Sequence, residues 1–117
     1  MTLPRLDQLD VSGRRVLVRC DLNVPLENGR ITDDLRIRSS IPTLDALLER
    51  GARVAVCSHL GRPEGKVVPE LSLAPVGEHL AHLLGPSVAL AKDPAGEDAR
   101  RACSSDAAVV LLENLRF

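Results

Sequence analysis

Six side chains in four short stretches have the types and spacing to hold a small anion. Asp21 and Asn23 lie in RCDLNVP (19–25), and Arg36 lies in ITDDLRIRSSIPTL (31–44). His59 and Arg62 lie in SHLGRPEG (58–65), and Arg116 lies in LLENLRF (111–117). Guanidinium groups suit phosphate or carboxylate because their planar fork makes paired, charge-assisted hydrogen bonds. An Asp and an Asn among them can hold hydroxyls. The implied ligand is small, anionic and hydroxylated. The alternative is a solvated loop edge with scattered surface charge.

The stretch SHLGRPEGK invites comparison with a phosphate-binding loop and fails it. A Walker loop has four residues between its glycines, then Lys, then Ser or Thr opening a helix. Here Gly61 and Gly65 are separated by three residues, and Lys66 is followed by VVPELS, a poor helix start. The G-x-G-x-x-G dinucleotide fingerprint is absent. Any phosphate at this loop would therefore be held by His59 and Arg62 rather than by a glycine-rich backbone cradle. His79 and His82 are spaced for one helix face but lack further metal-ligand spacing, so they read as solvated helix histidines. Cys20, Cys57 and Cys103 form no CxxC pair. Cys20 and Cys57 sit in apolar runs and read as small buried thiols.

The elements that must position these residues are short. Four Val-rich runs, RVLVRCDL (15–22), RVAVCSHL (53–60), SVALAKD (87–93) and AAVVLLENL (107–115), read as strands buried on both faces. Between them, Ile37, Ile41, Leu44 and Leu48 share one helical face ending at Gly51, with Pro42 expected to kink or restart the helix. SLAPVGEHLAHLLG offers Ser72 as N-cap, Pro75 in the first turn and Gly85 as the stop. GEDARRACSS predicts a third, short helix. Asn28-Gly29 predicts a tight hairpin after the first strand. The alternation argues for an α/β fold, a three-layer, doubly wound (Rossmann-like) parallel sheet, incomplete at its C-terminal side.

In such sheets ligands bind beyond the carboxyl ends of the strands. Those ends carry Asp21, Asn23 and Pro25, then His59, Gly61 and Arg62, then Asp93, then Glu113, Asn114 and Arg116. Arg36, near the start of the first helix, falls at the same edge. The sequence stops straight after a strand and a polar cluster, which reads as a chain cut short. Its last run, Val109 to Leu112, is expected to leave apolar surface exposed and to drive self-association.

Composition excludes other classes. The 117 residues carry 15 Lys and Arg against 16 Asp and Glu, a net charge of −1, and one aromatic residue, Phe117. Neither a basic surface nor a stacking platform for nucleic acid follows from that. No apolar run is long enough for a membrane span, and MTLPRLDQLD lacks a signal-peptide core. A soluble, cytoplasmic protein is expected.

Taken in order, the four motif stretches resemble the N-terminal part of phosphoglycerate kinases, over about Arg14 to Phe117. The resemblance implies reversible phosphoryl transfer between 1,3-bisphosphoglycerate and ADP, giving 3-phosphoglycerate and ATP in glycolysis, across two hinged domains. It implies that residues 1–117 form part of the N-terminal substrate-binding domain, with the nucleotide-binding C-terminal domain absent. Asp21 and Asn23 would then contact the hydroxyl and carboxyl end of the substrate. Arg36, the catalytic residue, would stabilise the transferred phosphoryl group. His59, Arg62 and Arg116 would grip the non-transferred 3-phosphate. Mg-ADP or Mg-ATP would bind the missing domain and not this chain, and no metal site is expected here. The full enzyme is expected to be a monomer, and the chain alone to be inactive. Two other readings stay open: a non-catalytic anion-binding or interaction domain that keeps the arginine rim, and an unrelated doubly wound binding module.

Overall fold

The computed structural model describes residues 10–85 and 88–117. Residues 1–9 of the opening stretch that lacks a signal-peptide core, and Ser87 of the third apolar run, lie outside the described residues. Strands β1 (Arg15–Arg19), β4 (Arg53–Cys57), β5 (Val88–Leu90) and β6 (Val109–Leu111) form one parallel sheet in the order β1-β4-β6-β5. Strands β2 (Leu26–Glu27) and β3 (Arg30–Ile31) make the expected hairpin. Asn28 and Gly29 both adopt positive φ, 52° and 77°, as the twist-matched two-residue turn requires.

Helices α1 (Leu35–Glu49) and α2 (Ala74–Leu84) cover one face of the sheet, and α3 (Glu97–Cys103) covers part of the other. On the first face Ile37, Leu44, Leu47, Val76 and Leu80 pack on Val54, Val56, Val109 and Leu111, all essentially inaccessible. Burial of each such aliphatic side chain stabilises by about 1.5–3 kcal/mol. The α3 face is lined by smaller side chains, Cys57, Ala91, Ala99 and Val110 with Leu112, so the α1/α2 face carries most of the stabilisation.

Strand order overturns one expectation. β6 does not close the sheet; it lies between β4 and β5. Val109, Val110 and Leu111 are fully buried and Leu112 is 8% exposed, because both flanks and both faces are covered. The sheet edges are β1 and β5, and their outward residues Leu17 (65%) and Leu90 (37%) are the exposed ones. The apolar run expected to drive self-association is therefore not exposed.

Two local expectations also change. α1 runs uninterrupted through Pro42, which sits on the exposed face where solvent can serve the carbonyl left without an N–H partner. The helix ends as the sequence suggests: Gly51, at φ 83°, donates to the Leu48 carbonyl while Ala52 donates to that of Leu47. This double closure needs a left-handed residue. At α2 the N-cap position is Leu73, not Ser72. The Ser72 hydroxyl accepts the Ala74 N–H at 3.1 Å and donates to Glu113 Oε2 at 2.7 Å. No helix among the described residues is long and apolar enough to cross a membrane.

Candidate functional site

Parallel pairing brings the strand carboxyl ends to one edge. Arg19 pairs with Cys57 and Val56 with Leu111, so Cys20–Asn23, Ser58–Arg62 and Leu112–Arg116 emerge side by side. Two buried polar side chains lock these loops together. The Ser58 hydroxyl accepts the Leu22 N–H at 2.9 Å. Asn114 is inaccessible; its amide donates to the carbonyls of Leu60 (2.8 Å) and Leu71 (2.9 Å), and its Oδ1 accepts the Arg116 N–H (3.1 Å).

The edge encloses an open cavity of about 480 Å³ lined by Arg19, Cys20, Asp21, Asn23, Arg36 and His59. Four of the six candidate residues therefore meet there. Asn23 is fixed by its Oδ1, which accepts the Gly61 N–H at 3.0 Å, while its carbonyl accepts a hydrogen bond from Arg36 Nη1. Arg36 Nε lies 3.6 Å from Asp21 Oδ2, and both side chains are more than half exposed. The Arg36 guanidinium is thus held over the cavity by a backbone carbonyl and a carboxylate, with the rest of its fork toward solvent.

Arg62 and Arg116 stand apart from that group. They line a separate cleft of about 360 Å³ with Glu64 and Gly65. The Gly65 N–H donates to the Arg116 carbonyl at 3.0 Å, which closes the loop against the end of β6. The two hollows share one electrostatic field at His59. Its pKa is lowered, first by burial and then by Arg116, Arg19 and Arg36, with Asp21 opposing. His59 therefore favours its neutral form at pH 7, and an anion bound beside it would oppose that shift.

Several strand-end residues do structural work instead. Asp93 is not on the arginine rim; it accepts the N–H groups of Gly96 (2.7 Å), Ala99 (3.0 Å) and Asp98 (3.2 Å) at the start of α3. Burial alone would raise its pKa, and these three donors outweigh burial and lower it. Glu113 accepts the Leu73 and Asn114 N–H groups, each at 2.8 Å, and so caps α2 from a distant strand end. His79 is not a solvated helix histidine, for its Nε2 lies 2.8 Å from Asp34 Oδ2. Cys57 is buried, but Cys20 is only half-buried and reaches the cavity. Burial pushes both thiols up, so neither is a ready nucleophile.

Arg19 was not among the six. It closes β1, and its position directly before Cys20-Asp21 at a strand carboxyl end was the available signal. The loop after His59 has no helix to present a phosphate cradle: it passes through Lys66 to a three-residue 3-10 turn at Pro69–Leu71.

A family model described as phosphoglycerate kinase matches residues 6–117. The chain belongs to the phosphoglycerate kinase family. A phosphoglycerate kinase of Bifidobacterium longum (strain DJO10A) is 59% identical over 110 residues, 92% of this chain and 27% of that protein. One from Leifsonia xyli subsp. xyli is 57% identical over 120 residues, covering 100% of this chain and 30% of its own length. The crystal structure of phosphoglycerate kinase from Pyrococcus horikoshii OT3 superposes with a TM-score of 0.87 at 32% identity, over 98% of this chain and 28% of that one. The phosphoglycerate kinase structure from Coxiella burnetii gives 0.78 at 42% identity, over 96% and 28%. The chain thus spans under a third of the length of these phosphoglycerate kinases, and the parallel α/β sheet with flanking helices is the part they share.

Proposed function

We propose that this chain supplies the glycerate-binding half of the phosphoglycerate kinase reaction, holding 3-phosphoglycerate or 1,3-bisphosphoglycerate for reversible phosphoryl transfer with ADP. The observation that carries this reading is the meeting of Arg19, Asp21, Asn23, Arg36 and His59 around one cavity at the carboxyl edge of the sheet. Asp21 and Asn23 orient the hydroxyl and carboxyl end. His59, from the cavity, and Arg62 and Arg116, from the cleft they line, hold the non-transferred 3-phosphate. Arg36, the catalytic residue, stabilises charge on the transferred phosphoryl group, and Arg19 adds to the same positive field.

Phosphoryl transfer needs in-line positioning and positive charge more than covalent help. Nothing on this edge is poised as a nucleophile, and the chemistry asks for none. The helix-less Gly61–Gly65 loop supports placing the magnesium nucleotide outside this chain, in a separate nucleotide-binding domain. Residues 1–117 then act as part of a substrate-binding domain, without turnover on their own.

Calorimetric titration tests the reading. Charge-assisted hydrogen bonds contribute about 1.5–3 kcal/mol each, so a few of them give 3-phosphoglycerate a Kd of about 1 mM or tighter. Mg-ADP is expected to give only dilution heat, and a coupled assay on the chain alone no rate above background. Silence with 3-phosphoglycerate, or tighter binding of Mg-ADP, would overturn the assignment.

A further inference from the structure

We infer that His79 is a positioning residue for Arg36, acting through Asp34 and the first turn of α1. The inference rests on the glycerate-site reading for its consequence and on geometry for its content. Asp34 occupies the N-cap position of α1, two residues before Arg36, yet its side chain makes no capping hydrogen bond to its own helix. That is unusual, since an Asp at this position ordinarily accepts the N–H of the second or third helical residue. Here the neighbouring Asp33 takes the Leu35 N–H at 2.9 Å instead. The Asp34 carboxylate is turned across to α2, where His79 Nε2 lies 2.8 Å from Oδ2, while Arg38 Nε lies 3.2 Å from Oδ1.

This link is placed to matter. Both side chains are only about one-third exposed (33% and 30%), so the contact is less screened than a surface pair. The hydrogen bond from His79 is the leading cause that keeps the Asp34 carboxyl below its usual range. Helix α2 is itself anchored at its start by Glu113, which adjoins Asn114. A continuous set of contacts therefore runs from the Arg116 end of β6, through Glu113, α2 and His79, to Asp34 and the start of α1. It ties the two sides of the site together. Arg36 reaches the Asn23 carbonyl and Asp21 only from that first turn. Displacing the turn by a fraction of an ångström would misplace the fork, and positioning losses of that kind are costly in charge-assisted recognition.

The test uses the full 117-residue chain and two variants, His79→Ala and His79→Gln. The Gln amide nitrogen can reach Asp34 much as Nε2 does. The first readout needs no ligand: the Arg36 Nε–H resonance and the Asp21 and Asn23 amides, recorded where urea titration shows each variant fully folded. These signals are expected to move in His79→Ala and to stay near wild type in His79→Gln. The second readout is 3-phosphoglycerate affinity, expected to fall at least threefold in the Ala variant and to recover to within twofold in the Gln variant. Unmoved Arg36 signals in a folded His79→Ala chain would overturn the inference. If wild type fails to bind 3-phosphoglycerate, the glycerate-site reading falls, while the Arg36 resonance still decides the role of His79.

Discussion

Asn114→Leu is expected to lower the unfolding free energy of the chain by about 3–5 kcal/mol, because each buried partner left unsatisfied costs about 1–3 kcal/mol. The side chain is inaccessible and serves three backbone groups at once, the carbonyls of Leu60 and Leu71 and the N–H of Arg116. Leu matches its bulk without its polarity, so the loss is one of hydrogen bonds rather than of volume. A domain is stabilised by only about 5–15 kcal/mol in total, so the change is a large fraction of the whole. Asn114→Asp separates the terms. It keeps the acceptor for Arg116 but removes both N–H donors and adds a buried charge, so it should be no more stable than the Leu variant. Urea unfolding followed by circular dichroism measures both. A midpoint shift worth less than about 1 kcal/mol would mean that the three loops hold together without Asn114.

Arg36→Ala is expected to do the reverse, weakening 3-phosphoglycerate binding about 10- to 100-fold, the equivalent of one charge-assisted contact, with little change in stability. The Arg36 side chain is 53% exposed and that of its ion-pair partner Asp21 65% exposed. Exposed pairs of that kind contribute about 0–1 kcal/mol to folding. Arg36→Lys keeps the charge but loses the fork that spans the Asn23 carbonyl and the ligand, so it should recover only part of the affinity. Calorimetry on the three proteins, beside their urea midpoints, distinguishes a binding role from a structural one. Equal affinities for wild type and Arg36→Ala would remove Arg36 from the site.

What the sequence shows plainly is what local chemistry determines. The alternation of Val-rich runs with amphipathic segments is enough for a parallel α/β sheet. Asn28-Gly29 is enough for the hairpin, and Gly51 for the end of α1. The rule that ligands gather beyond strand carboxyl ends brings Asp21, Asn23, Arg36 and His59 to one cavity without any coordinates.

Strand order is different, because it is set by pairings between distant segments. Nothing in AAVVLLENL says that β6 inserts between β4 and β5, so Val109, Val110 and Leu111 looked exposed when they are fully buried. The same blindness hides long-range caps. Glu113 looks like a rim carboxylate until it is seen accepting the N–H of Leu73, the N-cap residue of α2, forty residues away in sequence. His79 looks solvated until Asp34 arrives from α1. Asp93 was the more legible case, since its donors at Gly96 and Ala99 lie just downstream and open a helix. Arg19 was missed because it reads as the polar end of a strand, and only the register with Cys57 puts it beside His59.

The most direct test is an amide-resolved NMR titration of the labelled chain with 3-phosphoglycerate and, separately, with Mg-ATP. Dispersed signals that shift at Arg19–Asn23, Arg36, His59–Arg62 and Arg116 with 3-phosphoglycerate alone are the expected result. Signals at those positions that ignore 3-phosphoglycerate, or that shift with Mg-ATP alone, would contradict the assignment of this edge as the glycerate site.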